Sequence, residues 1–308
     1  MAMHLNKRWI DRRVYEYFAV NVAPLLGWRD PILVYQMGKV GSSSIRNSLF
    51  RCKDPRTRLV LMSHEFYPIR KRDLSRIRIE PEYRDHVIRE IEHSRRVFRQ
   101  FSPKRRRGWR IRETFYTQRI YQAYVKPGHR LRVISLVRDP VAYNISMFFE
   151  QFEQYTGAPI QESPLDIDSM IEIFIERYMH WRPVTWFDAE LKTTLGVDVF
   201  QYPFPQEQGF NTIAVNNVEL LVLKSELDDA VKASAIAEFL GLDHFTMVRS
   251  NLSSDRSHAR SYEEFKRRIR VPDWLLDGLY DSKFARFFYT DEERARFRRR
   301  WSGGTEGV

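Results

Sequence analysis

Four short, predominantly apolar runs, set between segments with helical spacing, restrict this chain more than any other feature. They occupy residues 31–36 (PILVYQ), 59–62 (LVLM), 132–137 (RVISLV) and 220–223 (LLVL). Each is too short for a buried helix, and none alternates as a strand with one wet face would, so each reads as a strand covered on both sides. The first run enters a glycine-bearing loop, after which Ile45 and Leu49, four apart, give residues 44–50 a helical period. Strands of this kind separated by helices predict an α/β fold with a mainly parallel central sheet flanked by helices. A length of 308 residues with 43% hydrophobic and 14% aromatic content suffices for one large core. The expected organisation is an N-terminal extension over 1–30, a single domain over 31–301 and a tail over 302–308.

Charge and cysteine usage narrow the partners. Lys and Arg number 51 against 40 Asp and Glu, a formal charge of +11 that favours anionic ligands. The single cysteine, Cys52, allows no internal disulfide and no cysteine-based zinc site, which fits a reducing compartment. Apolar pieces near the start, such as residues 17–20 (YFAV), are broken by Asn21 and Pro24 and fall short of the roughly 20 residues of a membrane span. The chain therefore reads as cytoplasmic, with no transmembrane segment. A basic stretch over residues 95–112, with Lys104-Arg105-Arg106-Arg107 and interleaved Phe98, Phe101 and Trp109, reads first as a solvated face and loop. Its second reading is a site for RNA or an acidic polysaccharide. No specific nucleic-acid partner is expected.

The loop Gly38-Lys39-Val40-Gly41-Ser42-Ser43-Ser44 carries the strongest chemical signal. A strand that feeds glycine-rich backbone into a helix N-terminus offers several N–H donors and the positive end of the helix dipole to an anion. Gly38 and Gly41 permit close approach, the serines add hydroxyl donors, and Lys39 adds a charge that can follow developing negative charge on a leaving oxygen. The nucleotide-triphosphate pattern, with Gly-Lys-Ser/Thr after four intervening residues, is absent because Lys39 precedes Gly41. A second anion element is Val137-Arg138-Asp139-Pro140, at the end of the third strand, with Ser146 eight positions beyond Arg138. Its guanidinium can grip phosphate oxygens bidentately while a helical hydroxyl completes the shell. Asp139 and Pro140 also form an ordinary helix start. Both elements fall at carboxyl ends of predicted parallel strands, where open α/β sheets bind ligands.

These two elements resemble the 5′-phosphosulfate loop and the 3′-phosphate site of sulfotransferases that use 3′-phosphoadenosine 5′-phosphosulfate (PAPS). Further likeness, in Trp186-Phe187-Asp188-Ala189-Glu190-Leu191, Gly196-Val197-Asp198-Val199-Phe200 and Tyr280-Asp281-Ser282-Lys283-Phe284, is to bacterial sulfotransferase-like proteins of capsular polysaccharide synthesis. A segment resembling Arg249-Ser250-Asn251-Leu252-Ser253 can approach the cofactor in related carbohydrate sulfotransferases; a plain interhelical loop is its equal alternative here. The resemblance extends from about Pro31 to Trp301 and implies a P-loop-NTPase-like sulfotransferase fold. It further implies PAPS as co-substrate, bound by Lys39, Val40, Gly41, Ser42, Ser43, Ser44, Arg138 and Ser146. The acceptor it implies is a hydroxyl, preferably on a carbohydrate, with a lipid or small natural product as the alternative; the basic charge balance, more weakly, favours a glycan that is already acidic.

Lys39 is the expected electrostatic catalyst. His64, just after the second strand, is the expected general base, because an unperturbed imidazole titrates near pH 6.5. Glu65 and His180 are substitutes. Asp166-Ile167-Asp168 also matches the Asp-x-Asp signature of metal-dependent glycosyltransferases, but an N-cap at Asp168, just before Ser169, explains it without a metal. Residues 166–181 are expected to form one amphipathic helix through Ile167, Met170, Ile171, Phe174, Tyr178 and Trp181.

Overall fold

A computed structural model describes residues 12–66, 115–248 and 259–303. In chain order the elements used below are α1 (Arg12–Asn21), β1 (Ile32–Tyr35), α2 (Ser42–Arg51), β2 (Val60–Ser63), β3 (Leu131–Val137), α3 (Pro140–Glu150), α4 (Ile167–Arg177), β4 (Phe210–Val215), β5 (Val218–Lys224), α5 (Asp229–Leu240), α6 (Ala259–Arg268), α7 (Asp273–Tyr280), α8 (Lys283–Phe288) and α9 (Asp291–Ser302). The basic stretch 95–112 and the segment 249–253 lie outside the described residues.

The chain divides into two compact units. The first holds a five-stranded sheet in the order β2-β1-β3-β5-β4. Its β1, β2, β3 and β5 are parallel, with Tyr35 opposite Ser63 and Val34 opposite Ile134. All four expected strands are present, and each is almost wholly buried, as a parallel sheet covered on both faces requires. The fifth strand, β4, pairs antiparallel with β5 across a tight turn at Asn216, whose φ is 52°. Sequence reading missed it because an edge strand needs no continuous apolar run: of FNTIAV, Ile213 alone is buried. Helix α1 lies against the opposite edge, where Val60 N–H donates to the Tyr15 hydroxyl at 2.8 Å and that hydroxyl donates to Val60 O at 3.2 Å.

The second unit is helical, built from α3, α4 and α6–α9. Phe148 on α3 centres an aromatic cluster with Phe149, Phe152, Tyr155, Phe174, Tyr178 and Phe265, mostly edge-to-face at 5.4–6.0 Å. The single helix expected over 166–181 is shorter. It ends at Arg177 because Tyr178 turns extended (ψ 146°), and a separate short helix, Arg182–Trp186, follows. The cap also differs from the expected one: Asp166, not Asp168, accepts from Ser169 N–H at 2.9 Å, and Asp168 in the first turn pairs with Arg268.

Candidate functional site: the loop at the end of β1

Loop and helix join as the sequence predicts. Strand β1 ends at Tyr35, and α2 starts at Ser42 with Gly41 as its N-cap in left-handed backbone, φ 102°. A Cβ on Gly41 would stand 3.7 Å from Leu136 Cδ2, an ordinary contact, so the backbone angle rather than space demands glycine. Lys39 is also left-handed, at φ 64°, which costs a side-chain-bearing residue roughly 1–2 kcal/mol. Non-glycine residues kept in such backbone concentrate at binding and catalytic loops. Gly41 supplies no capping side chain. Ser44 and Ile45 N–H groups turn back to Gly41 O at 3.1 and 3.3 Å, while Ser42 and Ser43 occupy the first two helical positions, which have no intrahelical acceptor. Val40 and Ser42 are buried, whereas Lys39, Ser43 and Ser44 are half-buried. Free backbone donors at the first turn of a helix, beside serines and a lysine, are the groups an anion can use.

Parallel pairing of β1 with β2 carries His64 to the same end of the sheet. Its Nδ1 lies 2.9 Å from Gln36 O, and because a carbonyl only accepts, Nδ1 carries the proton. Beneath the loop, the Gln36 side chain is fully buried with neither Nε2 nor Oε1 hydrogen-bonded within the chain among the described residues. A buried amide of this kind costs about 1–3 kcal/mol until something satisfies it.

One buried tie at this end of the sheet has no role assigned to it by the sequence. Glu190, buried in a π-helical turn (Phe187–Lys192), accepts from the Tyr35 hydroxyl at 2.6 Å and from Phe66 N–H at 3.0 Å, both on Oε2. It thereby ties the end of β1 to the segment after β2 that bears His64 and Glu65. The signal available in sequence was a pair of carboxylates, Asp188 and Glu190, inside the Trp186–Leu191 stretch, which an apolar environment excludes unless they are partnered. Glu65 is half-buried, and its carbonyl accepts from Ser63 Oγ at 3.1 Å.

The second anion element belongs to the helical unit. Arg138 is half-buried and immediately follows β3, and Ser146 is buried two turns into α3. Asp139 caps α3 as expected, accepting from Val141 N–H at 3.0 Å, with Pro140 in the first turn. The same carboxylate also accepts from the Tyr280 hydroxyl at 2.6 Å and Trp301 Nε1 at 2.8 Å. His180 is no substitute base. It is fully buried, its Nε2 lies 2.9 Å from Phe174 O and its own carbonyl accepts from Asn144, and burial holds its pKa down to about 4.

Among the described residues no group of three or more His, Cys, Asp or Glu is arranged to hold a metal ion, and no helix is long and apolar enough to cross a membrane. A family model described as "Putative capsular polysaccharide synthesis protein" matches residues 163–290, less than half of the chain. The match includes Glu190 and Tyr280 and stops short of the loop at 38–44, Arg138 and Ser146. It is narrower than the resemblance expected from about Pro31 to Trp301. No curated protein and no solved structure matches the chain. Over residues 163–290, then, the chain is similar to a family of capsular polysaccharide synthesis.

Proposed function

We propose that the protein is a sulfotransferase that moves a sulfuryl group from PAPS to a hydroxyl of a carbohydrate acceptor. The observation that carries this reading is the loop at 38–44: an uncapped helix N-terminus, two left-handed residues, a lysine within the loop and an orphaned buried amide at Gln36. These groups fit a phosphosulfate, which needs several donors and one mobile positive charge but little charge neutralisation. Arg138 and Ser146 are assigned to the 3′-phosphate, the guanidinium gripping its oxygens. The carbohydrate class rests on the family match over 163–290 and, more weakly, on the net charge of +11.

In the reaction, the acceptor oxygen bonds to sulfur as the bond from sulfur to the bridging phosphate oxygen breaks, in line. His64 Nε2 takes the acceptor proton, its ring held by the Nδ1–H bond to Gln36 O. Lys39 stabilises the charge that grows on the leaving oxygen, and adenosine 3′,5′-bisphosphate departs. A glycosyl-transfer reading through Asp166 and Asp168 is weaker, because one caps α4 and the other pairs with Arg268.

Thermal unfolding in the presence of nucleotides tests the assignment. At a hundredfold its Kd, adenosine 3′,5′-bisphosphate should stabilise the protein by about 2.7 kcal/mol. Stabilisation by a nucleotide sugar with manganese, and none by the bisphosphate, would overturn it.

A further inference from the structure

Within the helical unit, one hydrogen bond brings two arginine-rich helix ends together. Val271 N–H, just past α6, donates to Trp301 O in the last turn of α9 at 2.8 Å. Arg267 and Arg270 therefore lie beside Arg299 and Arg300, and all four are exposed. Arg270 Nη1 donates to the carbonyls of Arg267 and Ile269 at 3.0 and 2.8 Å, and its side chain runs across the backbone of Gly303, where a Cβ would collide with it. The Arg300 guanidinium sits over the Trp301 ring at 4.9 Å, an arrangement that steadies the cation while its edge donors can still serve a ligand. None of the four makes an ion pair with a carboxylate among the described residues, whereas neighbouring Arg268 is paired with Asp168 and Glu264.

Two helix C-termini contribute only about half a negative charge each. Together with Asp273, which is exposed three residues past Arg270, they leave the patch with a surplus of roughly two positive charges. A stability role at helix ends does not require that surplus. Trp274, 48% exposed in the first turn of α7, is within about 10 Å of Val271, the span of three residues. The patch thus combines planar forks suited to carboxylates or sulfates with a half-exposed indole, whose apolar body suits the C–H groups of a sugar ring.

We infer that the ends of α6 and α9, through Arg267, Arg270, Arg299 and Arg300 with Trp274 beside them, form a docking surface for an acidic polysaccharide. The choice of glycan over nucleic acid rests on the carbohydrate reading above. The surface holds the polymer and takes no part in chemistry.

The experiment measures binding of the full chain to polygalacturonate, neutral dextran, inorganic polyphosphate and poly(U) by fluorescence anisotropy across a salt series. Polygalacturonate should bind and dextran should not. Replacing the four arginines by glutamine should weaken polygalacturonate binding at least about tenfold and flatten the slope of log affinity against log salt by about two to three. The triple variant Arg267→Gln, Arg299→Gln, Arg300→Gln keeps Arg270 on its carbonyls and should show most of that loss even if the quadruple variant folds poorly. Trp274→Ala should weaken polygalacturonate binding but leave polyphosphate binding unchanged. Undiminished binding in the triple variant, poly(U) binding tighter than polygalacturonate, or equal effects of Trp274→Ala on sugar polymer and polyphosphate would each overturn the inference. Stabilisation by adenosine 3′,5′-bisphosphate, read in the same variants, should be unchanged; if the wild type lacks it too, the sulfotransferase reading fails while the docking result stands by itself.

Discussion

Replacing Asp139 by alanine removes one carboxylate that serves three donors in the helical unit. The first loss is the cap of α3, where deleting an Asp acceptor costs about 1 kcal/mol. The second and third fall on the Tyr280 hydroxyl and Trp301 Nε1, whose residues are almost fully buried and would lose this acceptor. Each such orphaned donor costs about 1–3 kcal/mol. The expected destabilisation is therefore about 3–7 kcal/mol, a large part of the roughly 5–15 kcal/mol that typically holds a domain together. Urea denaturation followed by tryptophan fluorescence reads it, with Tyr280→Phe as the internal control. That variant deletes the hydroxyl together with its need for a partner, and should cost only about 1 kcal/mol. A loss near 1 kcal/mol for Asp139→Ala would mean that the carboxylate acts as a cap and nothing more, and the anchoring of Tyr280 and Trp301 would be refuted.

Other outcomes follow from the same contacts. His180 binds its proton less readily folded than unfolded, with a pKa of about 4 against an ordinary 6.5, so the unfolded chain takes up more protons between those values. Stability should be unaffected by this group above pH 6.5 and fall by about 3 kcal/mol as pH drops from 6.5 to 4; His180→Phe should flatten that part of a pH–stability curve. Gly41→Ala, forced to φ 102°, should lose about 1–2 kcal/mol by thermal denaturation, together with affinity for adenosine 3′,5′-bisphosphate by calorimetry. Glu190→Ala releases Tyr35 and Phe66, and should lower kcat by misplacing His64 while leaving bisphosphate affinity within about threefold. His64→Gln should lower kcat and abolish the acidic limb of the pH–rate profile, and a retained limb would move the base to Glu65.

The features legible in the sequence are those whose physics is local. Asp139 and Pro140 declare a helix start within three residues, and the loop at 38–44 follows from a strand, two glycines and a helical period. Locality also explains the misplaced cap on α4: Asp166 and Asp168 both have capping chemistry, and tertiary burial of Ile167 selects the earlier one. Features that depend on distant partners were hidden. Glu190 meets Tyr35 across 155 positions, and Asp139 meets Trp301 across 162, separations at which no spacing rule operates. His180 had the right chemistry for a base and acquired a packing role only because α3 and α4 close over it.

The measurement that bears most directly on the proposed activity is transfer of labelled sulfate from PAPS to a panel of neutral and acidic polysaccharides. The account predicts label in at least one polysaccharide, with stoichiometric release of adenosine 3′,5′-bisphosphate. It also predicts that Lys39→Ala will lower kcat far more than it weakens PAPS binding. Label that stays in PAPS across the panel, while the bisphosphate fails to bind the wild-type protein, would contradict it.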